Sequence, residues 1–586
     1  MMEGKLRAAI IGAGGVARSQ HAPGLARLAG VEIAAVCDID EGRARDLASR
    51  CGARAYTDYQ RMLAEVRPDI VHVCTPEAFH YEPVMASLEA GAHVFCEKVM
   101  AESLAKARTM VQKALESGRI LAVDYNYRFF PVFRKLKELI AEGALGRIAF
   151  FNVYAHSYCM HHAIDLIRYL GGEIVEVAAM HTRWDRPEGA LPLPVGDLVY
   201  TPTRNEGVVL RLENGAVATL SGSLYMDLNE TMIQMECVGE KGRALIDQIH
   251  IRDISGRLRL FPEGKEIPLV TPEEQAKGFS LAFERSIEAF VESVRANRAP
   301  SPSGIDGLRA VEVEEAIVRS QRERRFIALP RTAASALAFS KLPLEEALER
   351  IARLGFPYVD LAVHEGWAHL NPSEVAQDVG GTLRRVRAAL ARTGVVPVSL
   401  NVGLGTSDPD EEERRLVAVA KLARELGVRT LTLPTARKGT PVEQEVRRLQ
   451  RLTQALKPHD VQLTIETHIG QVTEDPGAAA QIARSVPGLG LTLDPSHYYA
   501  GPAQGSGLEE VLPFVSHVHL RDAGSGWEEI QLPVGRGRVE FARLFELLKR
   551  HGYTGDFVAE YIDSIGEVQP APEMLAIQSL VHAHWP

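Results

Sequence analysis

Along residues 6 to 125, short apolar runs alternate with longer amphipathic stretches. LRAAIIGAG, VEIAAVCD, DIVHVCTP, HVFCEK and ILAVDYN are separated by segments rich in Ala, Leu, Arg and Glu. A strand covered on both faces must be apolar throughout, whereas a covering helix needs only one apolar stripe, so this rhythm predicts a parallel sheet with crossover helices. From about 147 to 270 the runs lengthen to RIAFFNVYAH, IVEVAAMHTRW and VVLRLENGAVATLSGSLY. Asn214-Gly215 suits a tight hairpin turn, and an antiparallel sheet is expected there. Helical periodicity returns from Phe279 to about Gln321. The charged stretch RSQRERRF and Pro330 close it and mark a domain boundary.

Residues 331 to 586 contain eight strand candidates in order: ASALAF, YVDLAV, VVPVSLNV, TLTLPT, QLTIETH, LGLTLDPSH, VSHVHLRD and DFVAEY. One amphipathic helix separates most of them. Eight β/α repeats in about 250 residues fit a closed (β/α)8 TIM barrel better than an open sheet, and such barrels carry their chemistry at the carboxyl ends of the strands.

Composition excludes several classes. A chain of 586 residues exceeds one hydrophobic core, so three or four folding units are expected. With 46% hydrophobic and 24% charged residues, and glycine and proline scattered, it is neither disordered nor collagen-like. Its 66 basic and 76 acidic residues leave a net charge of -10, which offers no general field for phosphates and argues against nucleic acid as a partner. The six cysteines lie in the first half without CxxC spacing and read as reduced core thiols. The start, MMEGKLRAAIIGAGG, enters a strand and glycine loop without a signal-peptide apolar region, and no run approaches the roughly 20 apolar residues of a membrane span. A cytoplasmic location without a membrane partner is expected.

After the first strand comes Gly12-Ala13-Gly14-Gly15-Val16-Ala17, a G-x-G-x-x-A arrangement. Its glycines let backbone approach a pyrophosphate, and the small Ala17 lets helix and strand pack closely. The next strand ends at Asp38, about 20 residues on, where a carboxylate can accept hydrogen bonds from both ribose hydroxyls. That charge would repel a 2'-phosphate, so NAD is expected rather than NADP. Thr75, Pro76 and His80 follow the third apolar strand, and Glu97 and Lys98 follow the next; all five are assigned to the cofactor pocket. The chain therefore reads as α/β: a Rossmann domain (1–125), an α+β antiparallel-sheet domain for substrate and oligomerisation (126–330) and a TIM barrel (331–586).

GAGGVA, Asp38, TPEAFH, the CEK segment and HHAIDLIRYLGG together resemble the glucose-fructose oxidoreductase/inositol dehydrogenase family (Gfo/Idh/MocA) across the first 330 residues. The resemblance implies that Lys98 contacts cofactor and substrate and that His162 handles the proton of an alcohol being oxidised. Oxidising an alcohol needs a hydride acceptor, a group for the hydroxyl proton and a cation to polarise the oxygen. Two departures stand out: Val99 occupies the family's proline position, and Tyr158 stands where an aspartate precedes the histidine by four. Tyr158 is therefore a candidate participant through its phenol. Asn126 and Arg128, in NYRFF, are candidates for the substrate cleft, Arg128 equally for a structural ion pair. Asp165 reads as a helix residue with a structural partner. Related oxidoreductases associate through the sheet domain, so a homo-oligomer is expected.

Four strand ends of the second half carry Glu466, Asp494, His519 and Glu560. Strands five to eight of a barrel are neighbours, so these side chains can converge on one divalent ion. Three carboxylates and an imidazole without sulfur suit Mn2+ or Mg2+, with Co2+ or Zn2+ also admissible. The pattern resembles the sugar phosphate isomerase/epimerase family of xylose isomerase-like barrels. This implies a metal on adjacent oxygens of a hydroxy-ketone, with Glu466 and Glu560 as proton-transfer carboxylates and His497 hydrogen-bonding a substrate oxygen. His468, Arg521 and His364 are lesser substrate candidates, and His517, two residues from His519 on the same strand face, is read as supporting it. A trinuclear endonuclease site is disfavoured, because SLNVGLG offers no histidine. The functional expectation is NAD-dependent oxidation of a sugar or inositol hydroxyl to a ketone, coupled to metal-dependent isomerisation, epimerisation or dehydration. The alternative is an isomerase or dehydratase acting through the barrel alone, with the first half a non-catalytic NAD-binding sensor or assembly module.

Overall fold

A computed structural model describes residues 5–182 and 205–585, except Ile251, Pro268, Val270, Ala299 and Pro330. The end of the IVEVAAMHTRW run, Arg183-Trp184, and the boundary residue Pro330 lie outside the described residues. The chain divides into two compact units, Met1–Leu329 and Pro330–Pro586. Among the described residues no helix is long and apolar enough to cross a membrane.

The first unit opens with six parallel strands: β1 (Leu6–Ile11), β2 (Val31–Cys37), β3 (Arg54–Tyr56), β4 (Ile70–Val73), β5 (His93–Cys96) and β6 (Leu121–Val123). Their order is β3-β2-β1-β4-β5-β6. β4 is buried at every position, as a strand with helices on both faces requires. Strand order reverses between β1 and β4, and a doubly wound sheet opens its ligand crevice at that point, beyond the carboxyl ends of the strands. Gly12 follows β1 there, and Thr75 follows β4.

A nine-stranded sheet comes next: β7 (Ile148–His156), β8 (Ile174–His181), β9 (Glu206–Leu212), β10 (Val217–Ser223), β11 (Ile233–Gly239), β12 (Gly242–Ile249), β13 (Arg257–Phe261), β14 (Lys265–Ile267) and β15 (Ile327–Ala328). The order is β14-β13-β12-β11-β7-β10-β9-β8-β15. The hairpin forms as its turn residues predict: Gly215 has φ +86°, and Asn214 Oδ1 accepts from the Ala216 amide. The expectation of a wholly antiparallel sheet is corrected, because β10 runs parallel to β7 from Val217↔Phe150 to Ser223↔His156. The helix Met160–Gly171 carries the chain over from β7, so β8 starts in the same direction. The meander β8-β9-β10 then lays β10 parallel beside β7. Two helices, Ser280–Ala296 and Gly304–Glu323, complete the unit. All six cysteines are free.

The second unit is a closed barrel. Its strands are β16 (Thr332–Ser335), β17 (Tyr358–His364), β19 (Val396–Gly403), β20 (Thr430–Leu433), β21 (Gln462–Glu466), β22 (Gly490–Leu493), β23 (Val515–Leu520) and β24 (Phe557–Ala559), with a short β18 (Ala368–His369) folded back on β17. Parallel pairing runs from β17 to β24, and β16 closes the ring by pairing with both β24 and β17. The first strand is not ASALAF. It starts at Thr332 and ends at Ser335, whose side chain accepts from the Leu337 amide and turns Ala336–Phe339 into a 3-10 turn. Likewise Pro495–His497, read as the end of the sixth strand, belongs to the helix Pro495–Ala500, with Asp494 as its N-cap and Pro495 at its first position. The interior is polar below the mouth. Thr432, Thr464 and Thr492 join hydroxyls at 2.7–3.0 Å, and Thr432 meets Thr492 although their strands are not neighbours, so these side chains lie inside the ring.

Candidate functional sites in the two units

In the first unit the glycine turn is shaped by contact. Gly12 has φ +92°, and a Cβ there would lie 2.7 Å from the Cys74 carbonyl. Backbone rather than a flexible side chain occupies that space, so Gly12→Ala is expected to destabilise the unit by more than the roughly 1 kcal/mol of an ordinary glycine replacement. NAD binding should be lost as well; chemical denaturation and an NAD titration check this. Asp38 lies beside the turn: Oδ2 accepts from the Ala13 amide at 2.7 Å and Oδ1 from the Asp40 amide at 2.8 Å. Gly14, Gly15 and Val16 are half-buried at the turn, and Ala17 is buried beneath it.

The other residues assigned to the cofactor separate into two groups. Thr75 and Lys98 are half-buried and Pro76 is exposed, whereas His80 and Glu97 turn inward. His80 places its two ring nitrogens 2.7 and 2.8 Å from the carbonyl oxygens of Thr75 and Val99. It therefore ties together the two loops that follow β4 and β5. Glu97 Oε1 lies 2.8 Å from His21 Nε2, and His21 Nδ1 lies 2.9 Å from His72 Nδ1. Burial pushes the Glu97 carboxyl up, but His21 outweighs it and holds the group ionised below its usual value. Glu97 thus braces the segment of Lys98 against the turn that follows the glycine loop.

His162 is buried on the helix Met160–Gly171 and stacks flat on Tyr127, with ring centroids 3.8 Å apart. Burial pushes its pKa well down, helped by His161 and the ammonium of Lys98, which favours the neutral imidazole. His161 is buried beside it and is depressed by burial and Lys98. Tyr158 stacks on His156 with centroids 5.3 Å apart. Asn126 is buried, with Oδ1 lacking a hydrogen-bond partner among the described residues.

Arg128 shows the ion-pair alternative of its two readings. Its guanidinium bonds Asp165 at 2.8 and 2.5 Å, Asp306 at 2.7 Å and Ser301 at 3.2 Å. Its donors thus engage one buried and one half-buried carboxylate, and Asp165 has this arginine as its partner.

In the barrel, Glu466 ends β21, Asp494 follows β22, His519 is the penultimate residue of β23, and Glu560 follows β24. All are buried or nearly so. His519 Nδ1 lies 3.0 Å from Glu466 Oε1 and 3.3 Å from Glu560 Oε1. Possible ligand atoms of Glu466, His519 and Glu560 lie within 4.8 Å of one another, as do those of Glu466, Asp494 and His497. Glu466 belongs to both sets.

Arg521 balances the acids. Its Nη2 lies 2.9 Å from Asp494 Oδ2 and 3.6 Å from Glu560 Oε2, and its Nε donates to Ser496 Oγ at 2.9 Å. Burial pushes Asp494 up to about 6, whereas for Glu560 the charges of His519 and Arg521 outweigh burial and hold it at about 2. Burial alone would depress His519, but Glu560 and Glu466 raise it well above its usual value. A divalent cation would take the place of that proton. The donor set of carboxylates and imidazole, without sulfur, fits such an ion.

His497 accepts from Arg521 Nη2 at 2.7 Å through Nε2, so its proton sits on Nδ1. Its Nδ1 is buried without a hydrogen-bond partner among the described residues. His468 lies over His497 with ring centroids 3.9 Å apart. His364 joins the site through Asn401: Nε2 contacts Asn401 Oδ1 at 3.0 Å, and Asn401 Nδ2 donates to Glu560 Oε1 at 3.0 Å. Sequence reasoning missed Asn401, although its place near the end of β19 was a usable signal. It also missed Ser496 and the half-exposed Trp527, which faces His497 at 6.4 Å.

These sites define two parts in one chain, a dinucleotide-type Rossmann unit and a barrel whose strand ends gather carboxylates and an imidazole. Family models match both folds. Residues 6–125 match the oxidoreductase family with an NAD-binding Rossmann fold, residues 157–329 its C-terminal alpha/beta domain, and residues 348–580 a xylose isomerase-like TIM barrel. The chain belongs to the Gfo/Idh/MocA oxidoreductase family in its first unit and carries a xylose isomerase-like barrel as its second.

Among its relatives, the D-glucoside 3-dehydrogenase of Escherichia coli is 43% identical over 149 residues, 25% of this chain and 42% of that protein. The 4-carboxy-2-hydroxymuconate-6-semialdehyde dehydrogenase of a Sphingobium species is 30% identical over 38% of this chain and 73% of its own length. The myo-inositol 2-dehydrogenase of Thermotoga maritima is 26% identical over 55% of this chain and 98% of its own length.

Proposed function

We propose that the chain is a bifunctional sugar- or polyol-metabolising enzyme. Its first unit oxidises a hydroxyl to a ketone with NAD, and its barrel uses a divalent cation, Mn2+ or Mg2+ foremost, to isomerise, epimerise or dehydrate a keto-sugar. The observation that carries the barrel half is the meeting of Glu466, Asp494, His519 and Glu560 at four adjacent strand ends, with Arg521 among them. The named activities of the relatives, on glucosides and inositol, support the first half.

NAD supplies the hydride acceptor when bound. Asp38 holds the ribose hydroxyls, the turn from Gly12 to Ala17 admits the pyrophosphate, Lys98 polarises the substrate oxygen, and the neutral His162 accepts the hydroxyl proton. In the barrel, Glu466, Asp494, His519 and Glu560 would hold the cation, which would supply the Lewis acidity that makes the carbon beside the ketone more acidic. Glu466 or Glu560 moves that carbon's proton, and Arg521 orients an oxygen of the substrate. Trp527 and His468 offer ring faces against which the apolar face of a sugar can pack.

A second reading keeps only the barrel active, because Tyr158 replaces the aspartate and lies on His156. Full-length protein with NAD and Mn2+, assayed for NADH across inositols, sugars and sugar acids, separates the two readings. The coupled reading expects turnover on at least one compound, reduced about 10²–10³-fold by Lys98→Ala. Tight NAD binding with no reduction on any of them would leave the first unit a sensor or assembly module.

A further inference from the structure

We infer that Asp360, a fully buried residue, is the positioning carboxylate for His519, fixing its ring and its proton when the histidine holds a cation. The inference rests on the reading of Glu466, Asp494, His519 and Glu560 as a cation site, and it begins with proton accounting.

His519 Nδ1 faces Glu466 and Glu560, so Nδ1 is the nitrogen a cation at that mouth would take. An imidazole that gives Nδ1 to a cation carries its proton on Nε2, and that N–H needs an acceptor. His519 Nε2 is buried without a hydrogen-bond partner among the described residues. So is Asp360 Oδ2, and so is His517 Nε2. One possible ligand atom from each of Asp360, His517 and His519 lies within 4.8 Å of the others. Three buried side chains so grouped, each with an unpartnered polar atom, supply a donor, an acceptor and a second donor that can close up on each other or share one water.

Asp360 is prepared for this task. It lies in the middle of β17, below the mouth, and its Oδ1 accepts from Ser399 Oγ at 2.6 Å. One oxygen is thereby anchored from the neighbouring strand, which leaves Oδ2 as the acceptor. In the ring β17 and β23 are separated by β16 and β24, so the pair meets across the interior. His517 stands two residues before His519 on the same face, its ring 5.2 Å away and edge-on, where its N–H can give the same carboxylate oxygen a second donor. Histidines that bind metals commonly lean on such an outer carboxylate, and removing it costs about 10- to 100-fold in metal affinity.

The test titrates Mn2+ into the full chain, reading free Mn2+ by its paramagnetic resonance, for wild type, Asp360→Ala, Asp360→Asn and Ser399→Ala. Asp360→Ala should bind about 10- to 100-fold more weakly. Asp360→Asn, of the same volume, should fall between it and wild type, and Ser399→Ala should weaken binding through Asp360 alone. Co2+-loaded wild type should also show an exchangeable, paramagnetically shifted imidazole N–H resonance, absent in His519→Gln and lost to solvent exchange in Asp360→Ala; a merely structural Asp360 would not move it. Wild-type affinity and an unchanged resonance in folded Asp360 variants would overturn the inference while leaving the cation site standing. Wild type that binds no Mn2+ would remove the cation site itself, and this inference with it.

Discussion

Glu466→Gln is expected to cost the barrel its cation, and with it the activation of the carbon beside a ketone. Glu466 is common to both candidate ligand groups, one with His519 and Glu560 and the other with Asp494 and His497. Glutamine keeps the volume, so the mouth should retain its shape. It loses the negative charge, however, and either end of its amide faces His519 Nδ1 across a 3.0 Å contact. An NH2 group there hydrogen-bonds the lone pair the cation needs, and a carbonyl oxygen is the weaker ligand. Losing a ligand should exceed the loss of a residue behind one, so Mn2+ affinity should fall by more than about 100-fold. Deuterium exchange at the carbon next to the ketone of a keto-sugar, followed by NMR, should slow by about 10²–10⁴-fold if Glu466 also moves the proton. NAD reduction by the first unit should be unaffected. A variant that binds Mn2+ as wild type does and exchanges deuterium at the same rate would remove Glu466 from the site.

That cluster was legible because barrel geometry does the work of bringing strand ends together: once eight strands are counted, the last polar residue of each is a neighbour of the next. The glycine turn was legible for a similar reason, since strand, glycine spacing and Asp38 sit within one β-α-β unit. Features set by long-range packing were not. A parallel β7–β10 pair leaves no trace in apolar alternation, because direction depends on the crossover helix between β7 and β8. Asp360 breaks an apolar run in mid-strand, where a polar residue normally signals a solvent face; only closure of the ring turns it inward toward His519. His80 and Glu97 follow strands as cofactor residues do, and nothing in that pattern shows that their side chains engage the carbonyls of Thr75 and Val99 and the ring of His21. Ser335 ended the first barrel strand early by capping the turn behind it.

Arg128→Met is expected to produce the largest loss of stability in the first unit, about 3–5 kcal/mol at neutral pH, because it leaves the buried Asp165 and the half-buried Asp306 without their common cation. The arginine bonds Asp165 on the helix Met160–Gly171 and Asp306 on the helix Gly304–Glu323, and it lies 5.0 Å from the centre of the Tyr169 ring. Asp306 is 178 residues away along the chain, so the contact clamps distant segments. Burial pushes Asp306 up, but Arg128 and Arg168 outweigh it and hold the carboxyl well below its usual range; burial leaves Asp165 raised even with Arg128 beside it. The sign of the pH dependence follows. In wild type the depressed Asp306 contributes stability above its unfolded pKa, and that contribution is lost as pH falls through the folded value. In the variant Asp165 has lost its cation and rises further, so it costs stability as pH rises from the unfolded carboxylate value near 4 toward the raised folded one. The deficit should therefore be smaller at pH 5 than at pH 8. Calorimetry of the full chain measures it on the transition that NAD raises, which belongs to the first unit; a shift of roughly 4–7 °C is expected at neutral pH. A deficit independent of pH would assign the loss to packing around Tyr169 rather than to the stranded charges.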